Sequence, residues 1–168
     1  VVLPLVLALA AAAATAADDE VPSKGPKDLA GLRYRPVGPP AGGRVSRVSG
    51  VPGDPLTYYA ATASGGVWKS VDGGLRWKPI FDDQPTGSIG DIAIAPSNPK
   101  VIYVGSGEGL QRPDLSTGDG MYRSDDGGTT WRHLGLSEGQ QIASIIVDPK
   151  DENRLFVAVL GHPYGPNE

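Results

Sequence analysis

The octapeptide SVDGGLRW at residues 70–77 returns 54 residues later as SDDGGTTW at 124–131. The flanks return with it, GVWKS at 66–70 and GMYRS at 120–124. A second match, IAIAPSNPKVIYV at 92–104 with IIVDPKDENRLFV at 145–157, has a spacing of 53. A third sets YRPVG at 34–38 against WRHLG at 131–135, 97 residues on, and without a gap aligns Val45 with Ile142, Val48 with Ile145 and Pro52 with Pro149. A chain that repeats at this period builds one supersecondary unit several times, and each unit buries its apolar faces on its neighbours.

The unit is all-β. VSRV, IAIA and VIYV alternate in the manner of half-buried strands and are rich in β-branched and aromatic residues. The central copy predicts strands at 88–95, 101–106, 121–124 and 131–134. With 24 Gly and 16 Pro in 168 residues, little room is left for a long helix past residue 30. Four short strands per roughly 50 residues predict a β-propeller of four-stranded antiparallel blades. Residues 44–80 read as blade one, 88–134 as blade two and 141–168 as part of a third, inside a propeller region of 32–168. Residues 32–38 read as a closing outer strand. About two and a half blades cannot close a ring that takes about 4–8. The chain therefore reads as the N-terminal part of a longer protein, whose remaining blades would cover the bare side of blade three.

Residues 1–17, VVLPLVLALAAAAATAA, are uncharged and end in small residues with an A-x-A pattern, ahead of three acidic residues. They read as a secretory signal peptide without its basic start, so the protein is expected to be secreted or periplasmic and to meet a membrane only through that transient leader. Residues 18–31 read as an unstructured lead-in. The formal net charge of -4 argues against nucleic acid as a partner. The absence of cysteine excludes disulfides, thiol catalysis and thiolate metal sites.

Each octapeptide sits on a predicted hairpin. Asp72 and Asp126 are placed to accept hydrogen bonds from the N–H groups of their own turns, Gly74 and Gly128 to supply positive φ, and Ser70 and Ser124 to bond across the hairpin. Trp77 and Trp131 open the next strand and are expected to bury against the following blade. The pattern S-x-D-x-G-x-x-W at blade spacing resembles the Asp-box of BNR-repeat propellers, with sortilin-like proteins and bacterial glycosyl-hydrolase-like BNR proteins the nearest in kind. An EF-hand reading fails because no alternating ligand series follows Asp126. GSGEG at 105–109 leads into no helix, which removes a dinucleotide loop. No metal or cofactor is expected, and His133 reads as ordinary surface.

The resemblance implies a ligand on the face opposite these hairpins. That face would be built from the long connection after 106 and from the connections between blades. Candidate ligand-binding residues are Asp82, Asp83, Glu108, Arg112, Asp114, His162 and Tyr164. Endo-xyloglucanases of the Asp-box type carry a TDIGGAYR-like stretch with a catalytic Asp; TASGGVWK at 62–69 matches it but has Ala63 at that place. The expected function is an exported module that binds peptide or glycan without chemistry. The alternatives are a xyloglucanase- or sialidase-like glycoside hydrolase with its carboxylates in later blades and, more remotely, an assembly factor for a membrane complex.

Overall fold

The computed structural model describes residues 43–110, 113–162 and 165–166. The expected leader, lead-in and 32–38 strand lie outside these residues, as do Arg112 and Tyr164. Strands β1 (Val45–Val51), β2 (Asp54–Thr62), β3 (Val67–Ser70) and β4 (Lys78–Pro79) form one sheet in chain order. Strands β5 (Ile89–Ile94), β6 (Ile102–Ser106), β7 (Met121–Ser124) and β8 (Arg132–Gly135) repeat that order in a second. Strands β9 (Ile142–Val147) and β10 (Leu155–Val159) make a third sheet of two strands. Every pairing is antiparallel. Apart from one 3₁₀ turn, Ser137–Gly139, the described residues contain no helix.

The pleat explains why these strands stack. In the second sheet Ile92, Ile94, Ile102, Val104 and Tyr122 share one face and meet Tyr59, Ala61 and Val67 of the first sheet. The other face, with Tyr103 and Met121, meets Ile142, Ile145 and Val147 of the third. Each buried aliphatic or aromatic side chain contributes about 1.5–3 kcal/mol, whereas an ion pair whose carboxylate stands in solvent, such as Arg123–Asp125, contributes about 0–1 kcal/mol. Apolar layers, not surface charge, hold sheet to sheet.

Inner strands β1, β5 and β9 are also joined by one carboxylate. Asp91 is 3% exposed. Its Oδ1 accepts from Arg47 Nε at 2.7 Å and from the Ile92 N–H at 2.8 Å, and its Oδ2 from the Ile145 N–H at 2.6 Å. Three sheets thus share one side chain, and burial of this charge is compensated by a cation and two amides.

The paired octapeptides form matching turns. Ser70 Oγ accepts the Gly74 N–H at 2.9 Å and donates to Asp72 Oδ1 at 2.9 Å, which also accepts the Arg76 N–H at 2.9 Å. In the second turn Ser124 Oγ accepts the Gly128 N–H at 2.8 Å. Asp126 Oδ1 accepts the N–H groups of Thr129 and Thr130, and Oδ2 the Thr130 hydroxyl at 2.6 Å. Gly74 and Gly128 have φ of +91° and +90°, a region that only glycine enters at little cost. The Thr130 hydroxyl and the turn amides pull the Asp126 carboxyl down to about 2. Asp72 is lowered as well, first by the Arg76 amide.

The tryptophans correct the expected direction of packing. Trp131 turns back onto the preceding sheet: its indole N–H donates to the Ile80 carbonyl at 2.7 Å, and its ring meets Phe81 edge to face at 5.1 Å. The β7–β8 hairpin leaves the following side to Tyr103 and Met121. Trp77, in the same register, is 39% exposed and donates only to Gly74 of its own turn.

Candidate functional site

Antiparallel order sorts the connections onto two rims. The octapeptide turns share one rim with the β1–β2 and β5–β6 turns: the Gly73 N–H donates to the Leu56 carbonyl and the Gly127 N–H to that of Lys100. The other rim carries 63–66, 80–88, 107–110, 113–120, 136–141 and 160–162. Its backbone is laced together by Gly66 to Gly87, Gly107 to Ser88, Gly118 to Gln140 and Leu160 to Gln141.

Glycine makes that lacing possible. A Cβ at Gly90 would fall within the contact distance of the carbonyl oxygens of Ile142 and Gly107, and one at Gly107 (φ +81°) would strike the Gln140 carbonyl. The connection after β6 is therefore pressed onto its neighbours at Gly107, Gly109 and Gly118. Asp119 fastens its far end: Oδ1 accepts the Ser106 hydroxyl at 3.0 Å and Oδ2 the Tyr122 hydroxyl at 2.5 Å. Burial, together with the Asp119 carboxylate, raises the Tyr122 phenol well above its ordinary value. His133 caps the arrangement, with Nε2 2.8 Å from the Asp119 carbonyl and its ring edge-on to Tyr122.

The expected ligand residues are treated differently by this packing. Asp82 and Asp83 are exposed on the turn after Phe81, and Asp114 is exposed on the long connection. Glu108 is not offered to a ligand, which corrects the expectation: it is 0% exposed and forms an ion pair with Arg44. The cause is the glycine pair flanking it, which draws residue 108 beneath the rim. His162 is half-buried and lines a cleft of about 580 Å³ with Leu136, Glu138, Val159, Leu160 and Pro166. That volume lies within the usual range for small-molecule sites, about 300–1,000 Å³. Two non-glycine residues with positive φ, Leu136 (+61°) and Gln140 (+47°), bracket the 3₁₀ turn on its wall. Such backbone costs about 1–3 kcal/mol per residue and gathers at binding sites.

Against known proteins, no family model matches and no curated protein matches. Solved structures do match. An ancestral GH74 enzyme aligns over 68% of this chain and 16% of its own, with a TM-score of 0.54 and 22% identity. The GH74 enzyme of Niastella koreensis aligns over 67% and 17%, with a TM-score of 0.51 and 22% identity. The chain thus spans about one sixth of the length of either structure.

The fold is a β-propeller.

Its described residues comprise two four-stranded blades and the first two strands of a third, an arc that does not close into a ring. The order within each blade places β1, β5 and β9 innermost, so the Arg47–Asp91–Ile145 joint lies along the propeller's inner wall. Arg44 and Glu108 sit where that wall meets the connection rim. Sequence reasoning missed Asp91 and Glu138, neither of which carries a local signal. Among the described residues no group of three His, Asp or Glu side chains is arranged to hold a metal, and no helix is long and apolar enough to cross a membrane.

Proposed function

We propose that this chain is an exported propeller module that binds a carbohydrate chain across its connection rim and does not itself cleave it. Likeness of fold to GH74 enzymes favours a glycan over a peptide as the ligand class. The observation that carries the non-catalytic reading is the engagement of the buried acids. Asp91 is held by Arg47 and Glu108 by Arg44, each at the base of the rim. Retaining and inverting hydrolysis both need two available carboxyl groups flanking the bond, about 5–5.5 Å or about 6.5–9.5 Å apart. Ala63, 4% exposed and bonded through its amide to the Arg44 carbonyl, supplies none at the place where similar enzymes carry an acid. The octapeptide turns act in this reading as Asp-box fasteners, and Asp82, Asp83, Asp114 and His162 as the polar contacts of the ligand.

The test uses the purified 168-residue chain. Affinity electrophoresis through gels containing xyloglucan or other soluble β-glucans should show retardation, and a reducing-end assay on the same mixtures should show no release. Release of reducing ends would establish the hydrolase alternative. No retardation by any glycan, with retention on a peptide array, would turn the reading to a peptide ligand.

A further inference from the structure

The octapeptide rim of blade one differs from that of blade two at its solvent-facing places. Tyr59 and Tyr103 hold one place in the blade register, and in that register Leu56 stands where blade two has Lys100. Along the octapeptides, Val71 stands in place of Asp125 and Leu75 in place of Thr129. Blade two is packed by a blade on each side, yet Lys100, Asp125 and Thr129 are all exposed. Exposure at these three places is therefore a property of the rim and does not arise from a missing neighbour. In blade one all three are apolar: Leu56 is 54% exposed, Val71 64% and Leu75 85%, the last the most exposed large apolar side chain among the described residues. The group meets at Gly73. Its N–H donates to the Leu56 carbonyl at 2.9 Å, a Cβ on it would lie 3.8 Å from Leu56 Cδ2, and Val71 and Leu75 stand on either side of it along the turn. Ser70 and Asp72 hold the turn closed, so the apolar tips project from a fixed backbone.

The charges around these tips have one sign to offer. Arg76, Lys78 and Lys100 are exposed and make no ion pair among the described residues. The neighbouring carboxylates are engaged: Asp72 and Asp126 by the amides of their own turns, Asp54 by the Leu56 N–H at 3.0 Å, and Asp125 by Arg123 Nε at 2.7 Å. We infer that this turn docks on an anionic lipid surface. Leu75, with Val71 and Leu56, enters the interfacial layer, and Arg76, Lys78 and Lys100 lie against the headgroup phosphates. Three side chains at a turn cannot supply the roughly 800 Å² per partner that a stable protein interface takes. A bilayer needs no matching surface; it rewards each buried apolar tip and each cation near its phosphates. The attachment is separate from the leader expected at 1–17. It leaves the connection rim turned to solvent, whatever that rim binds.

The chain has no cysteine, so Leu75→Cys and, in a separate sample, Thr129→Cys can each carry one environment-sensitive fluorophore on the 168-residue protein. Circular dichroism of both is required to superimpose on that of the parent. Vesicles of phosphatidylcholine mixed with phosphatidylglycerol should brighten and blue-shift the fluorophore at 75 and leave that at 129 unchanged. Phosphatidylcholine alone should need about tenfold more lipid for the same response. Arg76→Glu with Lys78→Glu, added to Leu75→Cys, should weaken the titration by about tenfold or more. No response at 75 would overturn the inference. So would equal responses at 75 and 129, which would mean attachment through another segment, or equal responses to the two vesicle types. A shift at 75 that follows protein concentration without lipid would replace the bilayer with a second copy of the chain.

Discussion

The indole N–H of Trp131 reaches out of its own blade to the carbonyl of Ile80 in the blade before it, 2.7 Å away. The same tryptophan one repeat earlier, Trp77, donates to Gly74 of its own turn at 3.0 Å. One motif residue thus has two uses among the described residues, one within its turn and one across a blade boundary. Trp131→Phe leaves the Ile80 carbonyl without that donor and is expected to destabilise the chain by about 1–3 kcal/mol. Trp77→Phe, at a half-exposed indole bonded within its turn, should cost less than half as much. Urea unfolding of the two variants checks the order, and equal losses would contradict it.

Phe81 is the hinge of the first blade boundary, 2% exposed and edge-on to both Tyr122 and Trp131 at 5.1 Å. Phe81→Ala removes a ring from a packed layer and should cost about 3–5 kcal/mol. Chemical denaturation should show it as a lower midpoint with an unchanged slope.

Acid should weaken the octapeptide turns first. Asp126 sits at about 2 against an ordinary 3.8, and Asp72 is shifted the same way. A lowered carboxyl contributes stability that is complete above its unfolded value and is lost as pH falls through its folded value. Thermal melts should therefore decline between about pH 4 and pH 2. Asp126→Asn should lower stability at pH 7 and flatten that decline. The Tyr122 phenol, raised from 10.0, acts in the opposite sense and should bring a second loss of stability above pH 10; Tyr122→Phe should remove it.

Gln141 is fully buried, and its amide has no hydrogen-bond partner among the described residues. Burying such an amide costs about 1–3 kcal/mol. Gln141→Leu, similar in volume and apolar, should be neutral or raise the melting temperature. A large loss in calorimetry would show that the amide is engaged.

How much of this was legible beforehand varies with the range of the interaction. The strands and hairpin turns were, because period-two alternation and the Ser-x-Asp-x-Gly pattern are written locally and twice. Tyr59 and Tyr103 show the same inheritance of place from blade to blade. The fate of Glu108 was not legible, since its burial depends on Arg44 in another blade and on backbones brought together at Gly90 and Gly107. The direction in which Trp131 packs was missed for the same reason: the octapeptide fixes where its strand begins, and only the neighbouring sheet decides which way the ring turns. Asp91 stands in an alternating run like any strand residue, and nothing nearby marks it as the joint of three blades.

The account assigns stability to the octapeptide rim and ligand to the connection rim. Hydrogen–deuterium exchange of the chain with and without a xyloglucan oligosaccharide tests that division most directly. Slower exchange is expected on addition of the sugar in 80–88, 107–120 and 136–142, with none in 71–77 and 125–131. Protection confined to the octapeptide turns, or no protection at either rim across a panel of β-glucan oligosaccharides, would contradict it.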